Sequence, residues 1–178
     1  MSEPRRNDGA GDLNDELGRN PERAGRTDPG SSDALLAGIA SASDLNAVLA
    51  ATVEALDADS GTIHLLGEDG DLHLQVAVNI PVEVQAIVRV VPIGKGMAGL
   101  CAERNRPVDA CNIQTDVSGD VRPGAKATRM EGAIVVPIRR QERVVGTLGV
   151  ANRRERRFTP AEIELLERIG AIIADRAE

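Results

Sequence analysis

The 178 residues carry 28 acidic against 21 basic side chains, a formal charge of −7, and one aromatic ring, Phe158, with no Trp and no Tyr. A chain of this length suits one ordinary domain burying roughly 70% of the surface its unfolded form exposes, with a core of aliphatic side chains. The acidity excludes a general phosphate-neutralising face for nucleic acid, and the lack of rings removes the usual platform for stacking a base.

Residues 1–32 hold almost no large apolar side chains among Gly, Pro, Asn, Asp and Arg. Such a segment gains too little burial to offset its ordering entropy, so a disordered tail is expected, either inert or a tether, with the folded domain spanning 33–178. No apolar run follows Met1-Ser2-Glu3-Pro4, so no secretory signal or membrane span is expected, and two cysteines fit a reducing cytoplasm.

Order begins near Asp33, with Leu35, Leu36 and Ile39 on a short helical stripe. Ser43 suits an N-cap for a second helix, whose Leu45, Val48, Leu49, Thr52, Val53 and Leu56 recur on one face. The runs 61–66 and 71–78 flank Gly67-Glu68-Asp69-Gly70 and predict a hairpin. His64 and His73 alternate with apolar neighbours there, which places both on polar faces. They are either solvated strand residues or, if pairing brings them together, metal or haem ligands, and no third ligand is fixed by spacing.

Residues 81–91 predict a short helix and a strand leading into Pro92. The stretch Pro92-Ile93-Gly94-Lys95-Gly96-Met97-Ala98-Gly99-Leu100-Cys101 then carries an apolar strand into a glycine turn and a helix over 96–104. Backbone N–H groups and the positive helix end converge there, and Lys95 adds a charge suited to an anion, or is a surface lysine in a turn. No nucleotide-hydrolase phosphate loop and no Ser-His-acid arrangement occurs. A strand is expected near 107–110 and a loop over 116–124 that closes over a site.

The runs 132–138 and 144–151 enclose Arg139-Arg140-Gln141-Glu142-Arg143 and form the strongest hairpin signal, with Pro137 at a bulge or on an unpaired edge. Seven arginines lie between Arg139 and Arg157 against Glu142 and Glu155, but the hairpin separates them into two ends roughly 25 Å apart. Thr159, Pro160 and Glu162 spell a capping box, and Phe158 can staple onto Ile163. Beyond it Ile163, Leu165, Leu166, Ile169, Ile172 and Ile173 cover about half the helix, wider than the usual stripe of about 100°. One side covers a sheet and the other meets a second chain, so a homodimer through the terminal helices is expected.

In order and at natural spacing, Asp59-Ser60-Gly61, Gly94-Lys95-Gly96-Met97-Ala98-Gly99, Arg106-Pro107-Val108, Val136-Pro137-Ile138, Val145-Gly146-Thr147-Leu148-Gly149-Val150 and Phe158-Thr159-Pro160-Ala161-Glu162 resemble a GAF domain over most of the chain. The resemblance implies an α+β, GAF/PAS-like fold: an antiparallel sheet, terminal helices on one face, and a small-molecule pocket on the other roofed by the glycine turn. It places Gly94, Lys95, Gly96, Met97, Ala98, Cys101, Asn112 and Asp116 at the ligand site and leaves the ligand and any cofactor unknown.

The free methionine-R-sulfoxide reductases form an enzymatic branch of that family. Their nucleophilic cysteine would stand at Ala98, and their other cysteines near Val88 and near Ala125 to Ala127, where this chain has none. Asn152-Arg153, Phe158 and Glu162 echo only partly the cyclic-nucleotide pattern, and capping explains the last two. The expected function is a non-enzymatic sensory module that binds a small molecule and signals in trans to a downstream protein. Two alternatives stand beside it: a ligand-free interaction scaffold filled by Met97, Leu100 and valines, and a thiol redox enzyme using Cys101 and Cys111.

Overall fold

A computed structural model describes residues 29–177. The expected tail falls largely outside them, but its last residues do not. Helix α1 runs Pro29–Ala40, so helical order precedes Asp33. Proline suits a first helical turn, where its missing N–H has no partner to lose, and Leu36 and Ile39 bury the face that justifies the helix. Helix α2, Leu45–Ala55, is capped not by Ser43 but by Asp44, whose extended backbone lets its carboxylate accept from Ala47 N–H at 2.9 Å.

The hairpin of β1 (Ser60–Leu66) and β2 (Leu72–Val78) is followed by α3 (Val82–Ile87), β3 (Val90–Val91), α4 (Gly96–Arg104) and β4 (Val108–Ala110). The expected loop contains one helical turn, α5 (Pro123–Lys126), before the hairpin of β5 (Gly132–Arg140) and β6 (Arg143–Asn152) and the final helix α6 (Pro160–Arg176). Every strand pairing is antiparallel, in the order β3-β2-β1-β6-β5-β4. β4 pairs with β5 only as far as Val135, so Pro137 sits where one edge of its strand has no ladder, next to a bulge at Ile138/Arg139.

The sheet is covered on both faces. On one, Ile63, Ile134, Val136, Leu148 and Val150 join Val48, Leu49, Leu166, Ile169 and Ile173 in the main core beneath α1, α2 and α6. On the other, Met97, Cys101, Val108, Ala110, Met130 and Ala133 form a smaller cluster. The α6 N-terminus is the predicted capping box: Thr159 N–H donates to Glu162 Oε2 at 2.7 Å, and Glu162 N–H donates to Thr159 Oγ1 at 3.3 Å.

The wide stripe of α6 meets the sheet on one side and α1 and α2 on the other, so its width needs no second chain. Arg168 reaches Asp33 at 2.8 Å, and Arg176 reaches Ala42 O at 2.8 Å. The exposed large apolar side chains among the described residues lie elsewhere: Leu66, Val82, Ile87, Val90, Ile93 and Val117. No helix of the described residues is long and apolar enough to cross a membrane.

The arginines split between the two hairpin ends, as expected, and many serve as pegs. Arg139 holds Glu167 at 2.9 Å and Asn105 at 2.7 Å, and Arg140 donates to Ala174 O. At the other end Arg154 pairs with Asp57, and Arg156 pairs with Glu162.

Candidate functional site

The second face of the sheet does not close completely. Between it and the segments α3, α4 and α5 lies a cavity of about 380 Å³. Its floor is β1, β5 and β6 around Thr62, His64, Ala133, Val135 and Gly149; α3 contributes Val84 and Ile87, β3 contributes Val90 and Val91, and the α5 segment contributes Arg122, Pro123, Gly124, Ala125, Thr128 and Met130. The space expected to be filled in the scaffold alternative is open, and Leu100 packs into the smaller apolar cluster instead of lining it.

The glycine turn forms one wall. Gly94 and Gly96 have φ of 77° and 63°, in the region that favours glycine. The turn folds back on its own helix: Gly94 N–H donates to Gly99 O at 2.9 Å and Lys95 N–H to Pro92 O at 3.1 Å. A Cβ on Gly99 would run into Pro92 O, so glycine is required for this close approach. Lys95 is the N-cap of α4 and gives no side-chain cap, so the N–H groups of the first turn have no side-chain partner from it.

Of the eight residues expected at the site, Lys95, Gly96, Met97 and Ala98 line the cavity, and Gly94, Cys101, Asn112 and Asp116 do not. Gly94 shapes the turn from behind. Cys101 is one turn further along α4, 0% exposed, and its thiol donates to Val135 O at 3.4 Å. Asn112 donates to Glu155 Oε1 at 2.7 Å and accepts from Gln114 N–H, while Asp116 accepts from the Ser118 hydroxyl at 2.7 Å. Both belong to loop scaffolding.

His64 requires the main correction. It does not face solvent: it is 3% exposed and lines the cavity, its ring nitrogen Nε2 lying 2.9 Å from Val88 O. The expectation of a polar outer face fails because both faces of this sheet are covered and α3 folds back over β1, where its C-cap Val88 meets His64. His73, opposite Leu65 while His64 is opposite Leu74, lies on the other face and pairs with Asp69 at 2.9 Å. The two imidazoles are therefore not brought together, and no group of three His, Cys, Asp or Glu among the described residues is arranged to hold a metal.

Because Val88 O can only accept, Nε2 carries the proton, and Nδ1 is then a bare acceptor. That atom is buried with no partner, as is the hydroxyl of Thr147, the residue directly opposite on β6. Burial pushes the His64 pKa below 6.5, the Val88 bond opposes the shift, and the His73 charge reinforces it. The unfolded chain consequently takes up this proton first. Stability is complete above about pH 6.5 and declines as pH falls below it, by at most about 1.4 kcal/mol per pH unit. Urea midpoints at about pH 7.5 and 5.5 are expected to diverge in the native chain and to converge in His64→Phe.

The thiols are equally informative. Burial pushes the Cys101 pKa up to about 12, against the lowering effect of Arg139, with Glu167 adding to the rise. A protonated, buried thiol is a poor nucleophile. Cys111 is half-buried and separate from the cavity lining, and both cysteines are free. A water-soluble thiol reagent is expected to modify Cys111 in the folded protein and Cys101 only after denaturation. Fast labelling of Cys101 in the native state would contradict its placement.

A sequence model described as a GAF domain matches residues 43–176. The chain belongs to the GAF domain family. Among solved structures it is similar to the GAF domain of an Acinetobacter phosphoenolpyruvate-protein phosphotransferase, at 20% identity and a TM-score of 0.67, covering 81% of this chain and 88% of that one. It is likewise similar to the corresponding GAF domain from Coxiella burnetii, at 21% identity and a TM-score of 0.66 over 81% and 90% of the two chains. The Neisseria meningitidis free methionine-R-sulfoxide reductase, solved with its substrate, matches at 19% identity and a TM-score of 0.66 over 82% and 84%. A comparison with curated proteins yields no match. These neighbours share the fold with this GAF domain and include both enzymes and domains of phosphotransferases, so the site residues must carry the functional argument.

Proposed function

We propose that this GAF domain is a small-ligand sensory module that works by binding, without chemical turnover, and passes its state to a partner protein. The observation that carries the reading is the cavity of about 380 Å³ with mostly aliphatic walls, a buried polar group and two cations in its lining. Against turnover, the turn position before Gly99 is Ala98, and the nearby Cys101 is fully buried and outside the cavity. The partly exposed apolar side chains Val82, Ile87 and Val90 lie on α3 and β3, the segments that cover the cavity. Occupancy would therefore alter a surface available to a partner, in the cytoplasm on the expectation from cysteine usage. The same proposal includes a second copy of the chain joined through the terminal helices.

The test is a thermal-shift screen of small acids, amino acids and cyclic nucleotides on the native chain and on Ala98→Leu, which adds bulk at a partly exposed position of the cavity wall. A ligand at about a hundred times its Kd is expected to stabilise the native chain by about 2.7 kcal/mol, and Ala98→Leu by much less. Equal shifts in both proteins would place binding elsewhere.

A further inference from the structure

The lining of the cavity divides by exposure into an interior and a mouth. Val84, Met97, Ile113, Met130 and Ala133 are buried and line the inside, whereas Ile87, Val90, Lys95, Arg122 and Pro123 are exposed and mark where it opens to solvent. No Asp, Glu or aromatic side chain lines it, so neither a buried ammonium nor a stacked purine has a partner inside. Ile87 and Val90, 58% and 40% exposed, continue the apolar wall to its rim. Lys95 and Arg122 stand at the same rim in water, where screening leaves each charge worth little, so the apolar wall and not the rim carries the affinity.

The polar side chains of the lining make few demands on an occupant. His64 donates Nε2–H to Val88 O at 2.9 Å, and its Nδ1 is sealed from the cavity together with the Thr147 hydroxyl. Thr128 donates its hydroxyl to Ala125 O at 2.6 Å. The remaining side-chain hydroxyls of the lining, on Ser60 and Thr62, both belong to β1. Two neutral hydroxyls cannot replace the water around a charged or strongly polar head, whereas a head at the mouth keeps that water. At about 30 Å³ for each water-sized group, the cavity of about 380 Å³ holds roughly a dozen non-hydrogen atoms.

We infer that the cavity takes the chain of a single-chain aliphatic amphiphile, with roughly eight to twelve carbons inside and the polar head left in water at the mouth. This rests on the reading of the cavity as a ligand site. Affinity then comes from each methylene removed from water, and it stops rising once the chain reaches the rim. Free amino acids of ordinary size are excluded, because both of their charges sit beside a side chain too short to fill the space.

Unbranched alcohols from butanol to dodecanol, octane-1,8-diol and leucine make the panel, each kept below its solubility limit. Methyl NMR signals of Met97 and Met130, which both line the cavity, report occupancy. Affinity is expected to rise about fourfold for each added CH₂ and to level off between roughly eight and twelve carbons. Octane-1,8-diol has to bury one of its hydroxyls and is expected to bind at least about fivefold more weakly than octanol. In Ala98→Leu, whose added carbons occupy the wall, the plateau should come about two carbons earlier. If that variant fails to fold, the plateau of the native chain and the diol decide the point. Binding that does not vary with chain length, a diol as tight as octanol, a rise without plateau through dodecanol, or preference for leucine would overturn the amphiphile and leave the ligand site standing. Methionine signals unmoved by every alcohol would overturn the amphiphile as well. If the acids, amino acids and cyclic nucleotides of the thermal-shift screen also leave them unmoved, the ligand site falls with it.

Discussion

Gly99→Ala is expected to destabilise the protein by about 3 kcal/mol, lowering Tm by roughly 10 °C in a domain of this size. The added methyl would meet Pro92 O and stand 3.2 Å from Gly94 N, both backbone atoms of the turn. Backbone cannot rotate aside as a side chain can, so the turn must lift from α4 and strain the bonds Gly94 N–H to Gly99 O and Lys95 N–H to Pro92 O. The same movement displaces Lys95 from the cavity wall, so ligand affinity should fall together with stability. Gly38→Ala supplies the contrast. Nothing lies within 4 Å of a Cβ at that helical position, and replacing glycine there is expected to stabilise by about 0.5–1 kcal/mol. Thermal denaturation of the two variants checks both magnitude and sign.

Arg156→Ala should cost about as much, for an electrostatic reason. The guanidinium donates to Glu162 Oε1 at 2.6 Å, to Asn152 Oδ1 at 2.9 Å and to Asp57 O at 3.1 Å, and stacks 4.5 Å from the centre of the Phe158 ring. It thereby ties the end of β6 to the loop after α2 and to the start of α6. Burial opposes ionisation of Glu162, but hydrogen bonds from the Thr159 backbone, Arg156 and the Thr159 hydroxyl outweigh it and hold the carboxyl below its usual range. The side chains of Arg156 and Glu162 are only 14% and 16% exposed. Removing the arginine leaves a largely buried charge without its partner, at a cost of about 3 kcal/mol. Arg156→Lys should recover less than half, because an ammonium cannot reproduce the planar, many-pronged contact. Chemical denaturation of the pair decides whether the planar fork matters or only the charge.

The depressed Glu162 also fixes a sign. A carboxyl with a lowered folded pKa contributes stability above its unfolded value, and that contribution is lost as pH falls through the folded one. His64 acts in the same direction at higher pH. Two acid-weakening steps are thus separable by their pH range.

The architecture was legible where sequence periods are unambiguous. The α2 and α6 stripes, both hairpins and the Thr159–Glu162 box announce themselves because local geometry alone satisfies them. The helix over 96–104 was legible from the glycine turn, while the short helix and strand before Pro92 emerge from a stretch, 81–91, with mixed signals and no clean period. The site was legible only in part. Lys95, Gly96, Met97 and Ala98 follow from the turn, but His64 and Arg122 do not, because each is placed by a distant segment folding across the sheet. Alternation puts Thr62 and His64 on the face opposite Ile63, and the error lay in taking that face for solvent. The α3 segment, whose C-cap Val88 accepts from His64, and not a period in β1, is what covers it. Asn112 and Asp116 mislead for the reverse reason: polar loop residues near a site were satisfied within their own loop.

The most direct test of an open, ligand-binding cavity is mass spectrometry of the small molecules released on denaturing the purified protein, compared between the native chain and Ala98→Leu. A molecule of roughly a dozen non-hydrogen atoms is expected, enriched with the native chain and depleted from the variant. The same molecules from both proteins, or none from either, would contradict it.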